Sequence, residues 1–169
     1  MKYKLTDVKI NFMGKTLFQI EAVKCFGDIV KGQKGGFIEK ESNLSQGGDA
    51  WVSGNAKVYG NAKVSGNAEV YGNAEVYGDV WVSGNAKVYG NAEVSGNADY
   101  LVIGPIGSRN DITTFFKTAN NDIKVSCGCF TGNIEEFLEK VNETHGNNNY
   151  AKEYKTAVEI AKIHIFGGE

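Results

Sequence analysis

The chain has 169 residues and a formal net charge of −2, so it carries no basic field for nucleic acid. Glycine occurs 22 times and proline once, at Pro105. That balance, with glycine recurring at a strict spacing, points to a repeat architecture and not to disorder. Three cysteines, Cys25, Cys127 and Cys129, make an odd set with no framework spacing, which fits a reducing cytoplasm. No apolar run is long enough for a signal peptide or a membrane span.

The chain opens with KLTDVKINFMGKTLFQIEAV, which predicts two strands with a turn near Asn11 to Lys15. Residues 1–31 are therefore read as a β-hairpin cap on the segment that begins at residue 32. A degenerate first turn is expected from about Gly32, with Ile38 and Leu44 in the register of Ala50.

From Gly48 the chain repeats one phrase. Gly stands at 48, 54, 60, 66, 72, 78, 84, 90 and 96, each followed by Asn or Asp. Ala comes next, at 50, 56, 62, 68, 74, 86, 92 and 98, with Val80 the single replacement. Valine recurs at 52, 58, 64, 70, 76, 82, 88 and 94. In a short strand, Ala and Val share one face and the residues between them take the other. Gly and Asn tolerate the positive φ that a tight corner requires. Residues 32–101 are thus read as a coil of short flat faces with Ala and Val inside. Three such hexads would close a triangular turn.

This phrase resembles the hexapeptide-repeat proteins that form a left-handed parallel β-helix, in which a small residue follows an aliphatic one by four positions, as Val58 and Ala62 do. The left hand of the coil is implied by that resemblance, while three hexads to the turn give 18 residues per turn. On an 18-residue turn the outward residues stack as Trp51, Glu69 and Lys87, as Lys57, Glu75 and Glu93, and as Lys63, Trp81 and Asp99. Tyr59 then lies over Tyr77 and Tyr71 over Tyr89. These tyrosines, with Trp51 and Trp81, are read as an outward aromatic surface for self-association, a trimer being favoured.

After Ala98 the period breaks. Gly104-Pro105-Ile106-Gly107-Ser108-Arg109 reads as a turn leading off the coil, with the alternative of an anion-binding loop. ITTFFKT and IKVSCGCF read as a hairpin. In it Cys127 and Cys129 share a face with Ile123 and Val125, as small hydrophobes and not metal ligands. Asn133 with Glu136 makes an N-terminal cap for a helix with Ile134, Phe137, Leu138 and Val141 on one side. A second helix carries Tyr150, Tyr154, Ala157, Val158, Ala161 and Ile165 on one stripe. Residues 102–169 are therefore expected to form a ββαα domain. The whole chain is expected to be mainly β.

GGFIEKESNLSQGGDAWVSGNA and SCGCF followed by THGNNNYAKEY resemble phage and prophage proteins described only as hexapeptide-repeat proteins. That resemblance implies a bacterial host cytoplasm but no defined activity. Hexapeptide-repeat proteins are often acyltransferases, many with a histidine on the coil. Here the repeat has none, and His145 and His164 both lie in the C-terminal third.

The leading expectation is a non-catalytic binding protein with no cofactor and no metal. It self-associates through the coil and interferes with a host defence system by binding a host protein or sequestering a nucleotide signal. An acyltransferase-like or small hydrolytic enzyme using His145, and a structural component of a phage particle, are the alternatives. Because each hexad repeats its neighbour, any specific site is expected after Ala98. Arg109 would act there as a two-pronged donor, with His145, Ser108 and Asn147 beside it, on an anionic ligand or partner group. Direct nucleic-acid binding and membrane association are not expected.

Overall fold

The structure, a computed structural model, describes residues 1–167. The chain divides into two compact units, Met1–Gly96 and residues 97–169. The first is a solenoid-like β-helix of about three turns with an N-terminal hairpin. The second is a four-stranded sheet followed by two helices. Among the described residues, no helix is long and apolar enough to cross a membrane.

The first unit begins with β1 (Tyr3–Phe12) and β2 (Lys15–Ala22), paired antiparallel. Met13 and Gly14 both take positive φ, 48° and 73°, which closes the predicted turn with the twist a tight hairpin needs. β2 pairs antiparallel with β3 (Lys34–Ile38). Then come the short strands of the coil: β4 (Trp51–Val52), β5 (Lys57–Val58), β6 (Lys63–Val64) and β7 (Glu69–Val70). They continue as β8 (Glu75–Val76), β9 (Trp81–Val82), β10 (Lys87–Val88) and β11 (Glu93–Val94).

The strands form three parallel stacks, β3-β5-β8-β11, β4-β7-β10 and β6-β9, and the hairpin extends the first of them. Every repeat Ala and Val from Ala50 to Val94 is buried, which is the inside–outside alternation of the hexad. At the corners the repeat glycines hold φ near +70°; at Gly72 (φ +75°) a side chain would also meet the Gly90 nitrogen at 2.9 Å. The residue after each glycine adds a ladder: Asn55 donates to Asn73 at 3.2 Å, Asn67 to Asn85 at 3.1 Å and Asn61 to Asp79 at 3.0 Å.

Outside, Lys57 meets Glu75 at 3.6 Å and Lys87 meets Glu69 at 3.2 Å. The like-charged pair Glu75 and Glu93 is eased by the Tyr77 hydroxyl, which donates to Glu93 at 2.7 Å. The bond to Glu93 and burial push the Tyr77 phenol up to about 12. Asp99 does not join the third stack. It lies in a short turn (Asn97–Asp99) of the second unit.

The first turn departs from the expected register. Ile38 pairs with Val58 and Leu44 bridges Val64, so both continue the Val rows and not the Ala row. The cause is the extra Gln46-Gly47 before the Gly48 corner. Gln46 uses the insertion to hold the N-terminus: its Oε1 accepts from the Lys2 backbone N–H at 2.8 Å, and its Nε2 donates to the Tyr3 carbonyl at 3.3 Å.

Lys2, only 1% exposed, aims its ammonium at the carbonyls of Ala50 (2.7 Å) and Gly48 (3.1 Å). Coil amides from Ala50 onward donate to carbonyls of the next turn, so the first turn's carbonyls face outward. Lys2 supplies the donor that a further turn would have given. Burial pulls its amine down to about 8, against the opposing pull of Asp49. A base whose folded value lies below its unfolded value binds more protons unfolded, so its contribution to stability rises as pH climbs through that window. Wild type should therefore gain on Lys2→Met between about pH 8 and pH 10 in paired chemical denaturation curves. A constant difference would contradict the buried ammonium.

In the second unit, β12 (Tyr100–Ile106), β13 (Asp111–Lys117), β14 (Ile123–Cys127) and β15 (Phe130–Asn133) run as an antiparallel meander. The expected ββαα is thus ββββαα. Gly104-Pro105, expected in a turn, belongs to strand β12 at the sheet edge, where proline costs no ladder bond. The pairing of β12 with β13 is irregular between Ile103 and Ile106, around Pro105.

Helix α1 (Ile134–His145) starts at Asn133, whose side chain accepts from the Glu136 N–H at 2.9 Å, while the Glu136 carboxylate accepts from the Asn133 N–H at 2.8 Å. Helix α2 (Asn149–Phe166) is capped by Asn148. The two helices bury Phe137, Val141, Tyr154, Val158 and Ile165 against Phe115, Ile123 and Val125 of the sheet. Ile134 and Leu138 pack at the margin of this core. Tyr150, expected on the buried stripe, is exposed and turns its ring toward His145.

Candidate functional site

Arg109 and His145 lie far apart in sequence, yet the second unit brings them to one cavity of about 180 Å³. Ser108 and Arg109 come from the β12–β13 turn, in which Gly107 takes φ +71°. Its N–H donates to the Glu153 carboxylate at 2.6 Å, so helix α2 holds the turn. Arg109 places one guanidinium nitrogen beside Gly128, where an added side-chain carbon would meet it at 3.1 Å. The β14–β15 turn therefore needs glycine both for its positive φ and for room for the arginine.

His145 is the last residue of α1, the end of a helix at which a cationic ring is favoured. Its ring stacks on Tyr154 at 5.8 Å and meets Tyr150 edge-on at 5.8 Å. Lys140, Val141 and Thr144 line the same cavity from the same helix. Val141 stands four residues before His145 and Lys140 four before Thr144, so two adjacent rows along α1 face the cavity. Phe130 and the buried Phe137 give the lining its aromatic part, and Cys127 and Tyr154 complete it.

Cys127 is half buried and accepts a bond from the Thr113 hydroxyl at 3.3 Å. Tyr154 is 6% exposed; burial and the neighbouring Cys127 push its phenol up to about 12, so it stays a neutral donor. Cys129 does not share Cys127's strand face. It sits exposed in the β14–β15 turn, because the hairpin reverses at Gly128. Among the described residues, no cluster of three or more His, Cys, Asp or Glu could hold a metal ion.

Of the residues expected in this site, Ser108, Arg109 and His145 converge, whereas Asn147, in the loop between α1 and α2, is not part of the lining. Lys140, Thr144, Cys127 and Tyr154 join the site without having been expected there. Lys140 and Thr144, four residues apart, form a row of α1 beside the one that ends at His145, and that spacing is the signal that the sequence carries. His164 lies elsewhere, its Nε2 within 3.1 Å of the Asn97 carbonyl.

The aromatic surface of the coil is smaller than its register predicts. Trp51 is 4% exposed and Tyr59 6%, so neither offers a surface to a partner. Phe26 and Tyr3 pack against the Trp51 ring at 5.4 and 6.4 Å, and Phe12 packs against Tyr59 at 5.8 Å. The N-terminal segment lies over those two outward positions, which the repeat alone does not reveal. Tyr59 and Tyr77 stack at 5.0 Å and Tyr71 and Tyr89 at 5.5 Å, as the register requires. Trp81 is 58% exposed, with its N–H on the Ser65 hydroxyl at 2.7 Å.

No protein-family model matches the chain, and no curated protein matches it in sequence.

Proposed function

We propose that this is a non-catalytic binding protein whose C-terminal unit holds an anionic group in the Arg109–His145 cavity. The observation that carries the reading is the convergence of Arg109, Lys140 and His145 on one recess, with the Ser108 and Thr144 hydroxyls beside them. A guanidinium and an ammonium in a partly aromatic lining suit a phosphoryl or carboxylate group. At about 180 Å³ the recess fits such a group and not a whole nucleotide. A nucleotide signal would insert a phosphate and leave its base outside; a host protein would insert an acidic side chain. In the phage or prophage setting that the sequence resembles, either act would serve to blunt a host defence system.

Inorganic phosphate is the simplest probe. Its titration should shift NMR resonances of residues 107–109, 127–130 and 140–145 to saturation. Arg109→Ala should weaken that binding by about tenfold or more, as loss of a charge-assisted pair does, while leaving the melting temperature near wild type. Shifts that never saturate at these residues would overturn the reading.

The coil supplies the scaffold for self-association in this proposal. We take it to be left-handed with 18 residues per turn. The hand rests on the resemblance, and the turn length is supported by the pairing of Lys57 with Glu75, Lys63 with Trp81 and Glu69 with Lys87. Its aromatic surface is Trp81 with the Tyr71–Tyr89 stack, and a trimer is the proposed assembly. Replacing Trp81, Tyr71 and Tyr89 together with serine should lower the mass seen by light scattering while circular dichroism stays unchanged. A wild-type monomer at micromolar concentration would remove this part of the proposal.

A further inference from the structure

Two thiols, Cys127 and Cys129, line the anion recess together with Arg109, Lys140 and His145. Binding an anion gives neither of them a task. The third cysteine, Cys25, belongs to the other unit.

The two thiols are held differently. Cys129 is exposed in the β14–β15 turn. Cys127 closes strand β14, in register with Thr113 on one side and Phe130 on the other. Alternation along the strand puts it on the face of Ile123 and Val125, and its side chain packs at the margin of the helix-covered core. There the Thr113 hydroxyl donates to its sulfur at 3.3 Å, and the Tyr154 phenol adjoins the same sulfur. Cys127 is nevertheless only half buried, and the recess opens beside it.

Positive charge stands at the same place. The Arg109 guanidinium lies against Gly128, the residue next to Cys127 in the chain. Tyr154, which adjoins the sulfur, also lies in the field of Arg109. A ligand whose anionic group engages Arg109 and Lys140 is thereby carried to a sulfur nucleophile. Among the groups a thiolate attacks, a disulfide needs no further oxidant, because the exchange makes one S–S bond for each that it breaks. A recess of about 180 Å³ admits a carboxylate with a sulfur one or two carbons away, and not a large ligand.

We propose that the recess captures small anionic disulfides covalently on Cys127. The capture rests on the recess being an anion site. Arg109 and Lys140 hold the carboxylate. The Cys127 thiol releases its proton to solvent, and its sulfur attacks the nearer sulfur of the ligand. A bond forms between Cys127 Sγ and that half of the ligand. The ligand's own S–S bond breaks, and the other half leaves as a thiolate that takes up a proton from solvent. The reaction is stoichiometric, one adduct for each chain.

Cys25→Ser and Cys129→Ser together leave Cys127 as the single thiol, and both replaced residues are exposed. Three disulfides of similar size separate charge from shape: dithiodiglycolate is anionic, 2-hydroxyethyl disulfide neutral and cystamine cationic. Intact-protein mass spectrometry follows each reaction. Dividing each rate by that of the same reagent with a small neutral thiol, N-acetylcysteine amide, cancels the reagents' own reactivities. Dithiodiglycolate should then be favoured over the neutral disulfide by about tenfold or more, and cystamine disfavoured. Adding Arg109→Ala should remove most of that preference, and inorganic phosphate should slow dithiodiglycolate by competition. An unreactive Cys127, equal normalised rates for the three reagents, or a preference that Arg109→Ala leaves intact would each overturn the capture. If phosphate still saturates the recess by NMR, anion binding survives that failure; if phosphate does not saturate, both fall together.

Discussion

Phe137→Ala should unfold the C-terminal unit's core at far lower denaturant than wild type. The Phe137 ring is 3% exposed and sits among Phe130 at 5.3 Å, Tyr154 at 5.6 Å and Phe115 at 6.3 Å. It therefore ties helix α1 to both the sheet and helix α2. Removing it leaves a cavity that these rings cannot all collapse to fill. The expected cost is about 3–5 kcal/mol, which for a unit of this size is a large part of its whole stability. Hydrogen exchange resolved by peptide checks this directly. Amides of α1, α2 and β14 should lose protection, while those of the coil, whose buried side chains are its own alanines and valines, should keep theirs. The same change removes part of the aromatic lining of the anion recess, so phosphate binding should fall with it. Leu138→Ala, on the neighbouring position at the margin of the core, should cost less. Equally mild effects of Phe137→Ala and Leu138→Ala would mean that α1 does not pack through Phe137.

The difference between those two helix positions is not visible in the sequence, which places both on one apolar side. That difference is typical of what the sequence reveals and conceals. The coil is legible because a period of six, with Gly-Asn at each corner, assigns every side chain to the inside or the outside. Ile38 and Leu44 fall in the wrong row when the period is carried back across Gln46-Gly47, because an insertion of two shifts everything before it. Trp51 and Tyr59 read as exposed because the repeat rules only the coil's own geometry. Phe26 and Phe12, which cover them, arrive from a segment with no period. Strand β12 is hidden because Gly104-Pro105 is a turn signal locally, and only an edge position in a sheet accommodates it. Arg109 and His145 stand out as side chains unlike their surroundings, and they do meet. Lys140 and Thr144 need the further step of treating α1 as a surface.

Ala74→Leu is expected to have the second large effect, in the coil. Ala74 is fully buried, and its carbonyl accepts from Lys57 at 2.9 Å while the Glu75 N–H donates to Ala92 at 2.9 Å. It is therefore held between Ala56 on one rung and Ala92 on the next, both also buried. The rungs are fixed at the hydrogen-bonding distance of a parallel sheet, about 4.8 Å, so they cannot spread along the axis to admit a larger side chain. Nor can the chain yield at the neighbouring corner, where Gly72 already stands against Gly90. Three extra carbons must then displace the facing valines, at a cost of about 1–3 kcal/mol or more. Val80 occupies the same repeat position and is buried, so a branched side chain is accepted at that point. Its setting differs: β9 is the final strand of its stack, and no further rung of that stack follows it. Ala74 has a rung on each side. Ala74→Val should consequently destabilise less than Ala74→Leu but still measurably, and Val80→Ala should cost no more than the loss of a small buried group, about 1–2 kcal/mol. Thermal melts of the three variants test the order. A leucine at 74 that melts with wild type would mean that this position does not face the interior.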